Sequence, residues 1–427
     1  MRGRWRVGEG PKARAHTYAP GAHEWNKKMT TARGFFDCLP RLRGRRVTRP
    51  VLCLALVLAG ACPARSNDLV EEPGFFRTVI GGQDVRLEGL VVKRADASGR
   101  LPIALITHGK PASTGKVLDV HATSLTGQAR DLARRGWLAA VVVRRGYGQS
   151  DGPLRVAVSC RNPSFTARFA AEADDLSGAL DFIARRPDAD PTRMIAIGAS
   201  AGGAAVAALS ALNPKHLLGV VNVSGGLRME ACPAEDALVA AFRQLGAKSR
   251  VPNLWLYARN DSFFRPETVE RMRTSFLDGG GDVKLVMFDP IGSDGHSLFG
   301  TAAGRQKWLM ELDAFLRFRG LPTWQHQDVD ALIKKVGSNN SKRGFFEGYV
   351  AAPSEKVLAQ RAGGGYWYSA FGFKTVGEAR NRALESCQQK RPGDPCAIVM
   401  ENDRWVGGAM WGPAGAARVK AGEGEVP

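Results

Sequence analysis

From about residue 75, short apolar runs alternate with longer stretches that are apolar on one face only. Runs of this length, rich in Val, Ile and Leu and without polar alternation, predict strands buried on both faces of a parallel sheet. The predicted strands are 85–93, 103–107, 138–143, 194–197, 219–223, 254–257 and 284–288. The intervening segments 124–135, 169–186, 201–212, 233–245, 266–277 and 303–318 carry helical periodicity. Pro187 and Pro191 stop the second helix, and Pro233 and Pro266 suit first-turn positions. Strand and helix in regular alternation predict an α/β fold, a mostly parallel sheet with helices on both faces, over 67–319. After Arg319 the pattern changes. Residues 320–345 read as a linker with one short amphipathic piece (329–336) and a polar stretch, GSNNSKRG. Residues 346–411 read as a small β-β-α-β unit, with strands at 355–360, 366–371 and 396–401 and a helix at 375–389. The Gly/Ala-rich tail, 412–427, has no periodicity and is expected to be disordered.

Composition changes the picture at the N-terminus. The formal charge of +19 would suggest a nucleic-acid partner if it were spread over the fold. It is concentrated instead: residues 1–66 hold 14 basic and 3 acidic side chains. Arg41–Arg49 is a basic stretch that runs into twelve apolar residues, Val51–Cys62, the length of a signal-peptide core and too short for a membrane-spanning helix. Cleavage after Ser66, behind Ala64 and Arg65, is expected. Cys62 in LAGAC also resembles a lipoprotein acceptor, with Ala59 where that pattern prefers Leu. Residues 1–28 lack periodicity and precede a second methionine, Met29, the expected start. The reading is a periplasmic or secreted protein with no transmembrane span and no nucleic-acid partner. In such a compartment disulfides persist. Of the cysteines beyond the leader, Cys387–Cys396 is expected as a local bridge and Cys160–Cys232 as a bridge between two loops. There is no Cys-x-x-Cys and no His/Cys cluster, so neither a metal nor a cofactor is expected.

Chemistry gathers at Gly198-Ala199-Ser200-Ala201-Gly202, between the strand MIAI and a helix of small residues. A serine on so tight a strand-to-helix turn projects its hydroxyl above the sheet, and flanking glycines avoid clashes there. A nucleophilic serine needs a base, and the base needs an orienting carboxylate. Asp261 follows the strand 254–257, and His296 lies in the loop after 284–288, so all three candidates fall at C-terminal strand ends. Asp289 and Asp294 are rival acids that do not follow the preceding strand. The other histidines sit elsewhere: His16 and His23 in the leader, His108 and His121 before Ser200, His216 too soon after it, His326 beyond the last sheet helix. The expected oxyanion donors are the backbone N–H groups of Ala201 and of Lys110, the latter in Thr107-His108-Gly109-Lys110-Pro111. His108 is expected to brace that loop. Gly109, Arg145 and Tyr147 are expected at the substrate pocket, and Arg228 is read as a solvated arginine.

With those residues in hand, the region from about 75 to 319 resembles the α/β-hydrolase superfamily. DPTRMIAIGASAGG, the earlier HG and RRGYGQSDG are similar to its dienelactone-hydrolase-like and prolyl-oligopeptidase-like branch. The resemblance implies a Ser200/Asp261/His296 triad. Dienelactone hydrolases carry cysteine as nucleophile, where this chain has serine. Oligopeptidases of the branch carry a large N-terminal propeller, which the stretch from Asn67 to Leu101 cannot hold. An exported serine hydrolase acting on small or medium esters is therefore expected, with a short-peptide peptidase and a non-catalytic envelope-binding protein as alternatives. The C-terminal unit (APSEKVLAQ, GEARNRALESC, CAIVMENDRWV) resembles a small domain of unknown function among exported bacterial proteins. Any cell-envelope polymer would be engaged through it.

Overall fold

The computed structural model describes residues 69–406, except 112–113, 154–157, 230, 325–327, 353–354, 362–363, 391–392 and 403. The leader, Met29, Cys62, the cleavage site after Ser66, His326 and the tail from 412 lie outside the described residues. An eight-stranded sheet forms the main body. Its strands are β1 (Leu69–Ile80), β2 (Gln83–Arg94), β3 (Leu101–Thr107), β4 (Leu138–Val142), β5 (Ala189–Ala199), β6 (Leu217–Val223), β7 (Asn253–Ala258) and β8 (Val283–Phe288). Their order is β1-β2-β4-β3-β5-β6-β7-β8. The β1–β2–β4 edge is antiparallel, and every pairing from β4 onward is parallel.

Six helices flank this sheet: α1 (Thr126–Arg134), α2 (Thr166–Ala184), α3 (Ala201–Ser210), α4 (Glu235–Lys248), α5 (Pro266–Asp278) and α6 (Ala302–Phe318). Two apolar layers result, one on each face. One packs Phe169, Leu180, Phe242 and Phe276 against Leu105 and Trp255; the other packs Leu132, Trp308 and Leu312 against Ile106 and Leu254. Strands covered on both faces must be apolar on both, which is why their sequences read as unbroken runs. This is the α/β-hydrolase architecture the sequence predicted.

The chain continues through α7 (Val329–Lys335) and α8 (Arg343–Ala351) into a second sheet, built of β9 (Val357–Arg361), β10 (Trp367–Ala370), β11 (Cys396–Glu401) and β12 (Arg404–Trp405), with helix α9 (Val376–Lys390). Its order is β10-β9-β11-β12, antiparallel throughout. Leu332, Phe346 and Tyr349 pack with Leu358 and Met400, while Ala379 and Ala383 of α9 pack with Val357 and Ala359. Helix α8 occupies residues read from sequence partly as linker. Gly344 and Gly348 lower its intrinsic propensity, and burial of Phe346 and Tyr349 overrides it. Among the described residues, no helix is long and apolar enough to cross a membrane.

Candidate active site

The β5–α3 junction forces Ser200 into an unusual backbone conformation, φ 54° and ψ −123°. A non-glycine residue here is strained, and the surroundings must hold it. They do so with four backbone hydrogen bonds. The Ser200 N–H donates to the Val223 carbonyl (2.9 Å), and the Ser200 carbonyl accepts from Gly203 (2.9 Å), Ala204 (3.2 Å) and Gly226 (3.1 Å). Close approach explains the flanking glycines. A Cβ at position 198 would stand 2.1 Å from the Gly202 carbonyl oxygen, and one at 202 would stand 2.4 Å from that of His108.

His296 sits in a short 3-10 turn, Gly295–Phe299, beyond β8. Its Nε2 lies 3.0 Å from Ser200 Oγ, and its Nδ1 lies 3.0 and 3.1 Å from the two carboxylate oxygens of Asp261. A carboxylate facing Nδ1 places the proton there, which leaves Nε2 to accept from the serine hydroxyl. Buried Asp261 is itself fixed by the N–H groups of Phe263 (2.8 Å) and Phe264 (3.0 Å). Of the rival acids, Asp289 is 97% exposed and 3.8 Å from Arg259. Asp294 braces the loop, accepting from the His296 N–H (2.9 Å) and from the N–H and hydroxyl of Ser262 (3.1 and 2.8 Å). Burial pushes the Asp294 carboxyl up, and these hydrogen bonds outweigh it, leaving it below the usual range. The Phe263 ring stacks on His296 with centroids 4.2 Å apart, and Phe264 closes the other approach at 5.8 Å.

After β3 the chain passes close over the serine: a Cβ at Gly109 would stand 3.0 Å from Ser200 Cβ. His108 holds this loop. The Arg144 N–H donates to its Nε2 (3.1 Å), so the ring proton is on Nδ1 and is donated to the Gly109 carbonyl (2.7 Å). Burial, reinforced by the Arg144 charge, holds His108 well below its usual 6.5 despite the opposing bond to Gly109, so the ring is neutral. The Arg144 guanidinium donates to the His108 carbonyl (2.6 Å) and to Thr107 Oγ1 (2.8 Å). Among the described residues, the N–H groups of Ala201 and Lys110 reach no backbone carbonyl. The first follows from its place in the opening turn of α3.

Two expected pocket residues turn inward instead. Arg145 pairs through its side chain and its N–H (2.9 Å) with Asp175 on α2, whose carboxyl burial raises to about 6 against the pull of Arg145. Tyr147 is buried edge-on beneath His108, with centroids 4.8 Å apart, and its hydroxyl accepts from Arg168 (3.1 Å). A buried charge must be paired, and Asp175, Glu172 and Arg168 on α2 supply partners that no local pattern announced. Sequence reasoning also missed Phe263 and Arg144. Position in the loop after a strand end was the available signal for both. The β6–α4 and β7–α5 loops line a cavity of about 330 Å³ whose walls include Phe263, the ring stacked on His296. Both expected disulfides are formed, Cys160–Cys232 and Cys387–Cys396, and Cys232 lines this cavity. Among the described residues, no cluster of three or more His, Cys, Asp or Glu could hold a metal.

Residues 118–274 match the family model described as serine aminopeptidase, S33. Among solved structures, a protein described as a dienelactone hydrolase from Klebsiella pneumoniae is 20% identical, with 57% of this chain and 97% of that one covered and a TM-score of 0.42. An esterase of Pyrococcus furiosus is 16% identical (58% and 90% covered, TM-score 0.40). An acylaminoacyl peptidase of Pyrococcus horikoshii is 17% identical (62% and 44% covered, TM-score 0.44).

Proposed function

We propose that this protein, a serine hydrolase of the α/β-hydrolase fold, is an exported carboxylesterase acting on small or medium esters. The reading rests on one observation, the unbroken hydrogen-bonded chain Ser200–His296–Asp261 at the C-terminal ends of three parallel strands. His296 takes the hydroxyl proton as Ser200 Oγ attacks the ester carbonyl, and Asp261 stabilises the imidazolium. The oxyanion is received by the N–H groups of Ala201 and Lys110. His296 returns the proton to the departing alcohol, and an acyl-serine remains. Water then attacks it, again with His296 as base, to release the acid. Export is supported by the basic stretch before an apolar run of signal-peptide length, and two disulfides are compatible with an oxidising compartment.

A fluorophosphonate probe is expected to label the wild type at Ser200. Ser200→Ala should abolish labelling and lower kcat for p-nitrophenyl esters by about 10³-fold or more. An unlabelled wild type, or an active alanine variant, overturns the reading. The S33 match favours a second one, cleavage of aminoacyl bonds. Comparing aminoacyl anilides with p-nitrophenyl esters separates the two, since an esterase should turn over only the esters at an appreciable rate.

A further inference from the structure

We infer that the cavity between the β6–α4 and β7–α5 loops holds the leaving alcohol, and that the preferred substrates are esters of neutral, apolar alcohols or phenols. The inference rests on the proposed roles of Ser200 and His296. The group that departs must lie where His296 Nε2 can hand it a proton, so it hangs on the His296 side of the tetrahedral centre, away from the donors at Ala201 and Lys110. That side is occupied by Phe263, stacked on the imidazole and 43% exposed. Phe263 also lines the cavity, so an apolar group leaving His296 meets an aromatic face and then the cavity.

From Ser200 the same cavity is reached along the backbone. Gly226 donates to the Ser200 carbonyl, and Leu227, the next residue, lines the cavity. The loop passes this point so tightly that a Cβ at Gly226 would stand 2.5 Å from the Phe264 ring. The lining also includes Cys232, bonded to Cys160, so the loop before α4 is tied in place.

The lining decides the chemistry. Leu238 and Phe264 are buried at its depth, with Leu227 and Met229 half-buried above them. Among the described residues, charges stand only on the rim, and they are engaged. Arg228 lies over the Phe263 ring at 5.7 Å and donates to the Ser262 carbonyl (3.3 Å). Glu235 pairs with Arg271 (2.7 Å) and lies 3.9 Å from Arg265. No unsatisfied cation faces the depth among the described residues, so an anionic group would be desolvated without a partner. An aryl or branched alkyl group fits both the lining and a volume at the small end of ligand sites.

The test uses the full chain and two substrate series, acetates of methanol, ethanol, benzyl alcohol and 1-naphthol, and ethyl esters of acetic, butyric and hexanoic acid. The wild type should prefer benzyl and naphthyl acetates over methyl acetate by about tenfold or more in kcat/KM. Met229→Trp, which fills the cavity from its half-buried rim, should erase that preference, while the ratios of kcat/KM among the ethyl esters of the three acids stay as in the wild type. Met229→Ala, which cannot overfill the site, should instead improve naphthyl relative to benzyl acetate. Loss confined to the acyl series would assign the cavity to the acid portion and overturn the inference. So would unchanged ratios in both variants. Fluorophosphonate labelling of each variant keeps these outcomes apart from failure of the Ser200 mechanism, which would show as an unlabelled wild type.

Discussion

At the scale of single residues, the most consequential group beyond the serine, histidine and aspartate is His108. It donates to the Gly109 carbonyl, and that carbonyl belongs to the same peptide unit as the Lys110 N–H. A hydrogen bond to one end of an amide fixes its plane and polarises the other end. His108 is therefore a positioning residue for the Lys110 N–H, the proposed oxyanion donor. Replacing it with leucine should lower kcat by about 10²-fold, with KM nearly unchanged, because the donor peptide matters most when charge develops. The same residue has a pH signature. Folded His108 is neutral well below 6.5, whereas the unfolded chain takes up a proton near 6.5. Its contribution to stability is thus present above that pH and lost as pH falls beneath it. Between pH 7.5 and 5.5 the wild type should lose about 1.4 kcal/mol more than His108→Leu, measured by urea denaturation at each pH. Equal slopes for the two proteins would exclude a neutral buried His108.

At the scale of elements, the parallel strands and the six helices around them were legible because burial on both faces leaves apolar runs, and helices leave one-sided stripes. The serine turn was legible because its glycines are required by contacts of 2.1 and 2.4 Å, which no side chain survives. Strand β1 was not legible. Glu71, Glu72 and Pro73 break its pattern, which an edge strand tolerates because one side bonds no neighbour. Arg144 and Arg145 stand side by side in sequence, yet Arg145 turns to Asp175 on α2 and Arg144 to the His108 carbonyl and Thr107 Oγ1, partners that are all distant in sequence. The disulfides were legible from parity, and their connectivity sets their value. Cys160 and Cys232 are 72 residues apart and Cys387 and Cys396 only 9. By loop-closure entropy the first contributes about 4 kcal/mol and the second about 2.5 kcal/mol. Paired serine substitutions should lower the urea midpoint in that order. The first pair should also alter selectivity in the alcohol series, since Cys232 lines the cavity.

At the scale of the whole molecule, the hydrolase sheet and the C-terminal sheet are joined by more than the covalent chain. Arg134 at the end of α1 is 2% exposed, 3.6 Å from Glu355 just before β9 and 3.8 Å from Asp131. Burial lowers its guanidinium to about 10, against the attraction of Asp131 and Glu355. Asp131 in turn pairs with Arg305 on α6 (2.5 Å), and Gln306 reaches the Gly348 carbonyl on α8 (3.5 Å). A buried ion pair contributes little net stability, but removing one partner leaves an uncompensated charge. Glu355→Gln should therefore destabilise the protein by about 2–3 kcal/mol, with Asp131 supplying the remaining compensation. Combining Arg134→Met with Glu355→Leu removes both charges and should restore most of that loss. Because neither residue contacts Ser200, His296 or Asp261, kcat/KM for a short ester should be unchanged in the double variant. If the C-terminal sheet folded independently of the hydrolase sheet, Glu355→Gln would leave the urea midpoint of hydrolase activity at its wild-type value. A shared interface makes activity and far-ultraviolet ellipticity fall together, at a lower urea concentration than in the wild type.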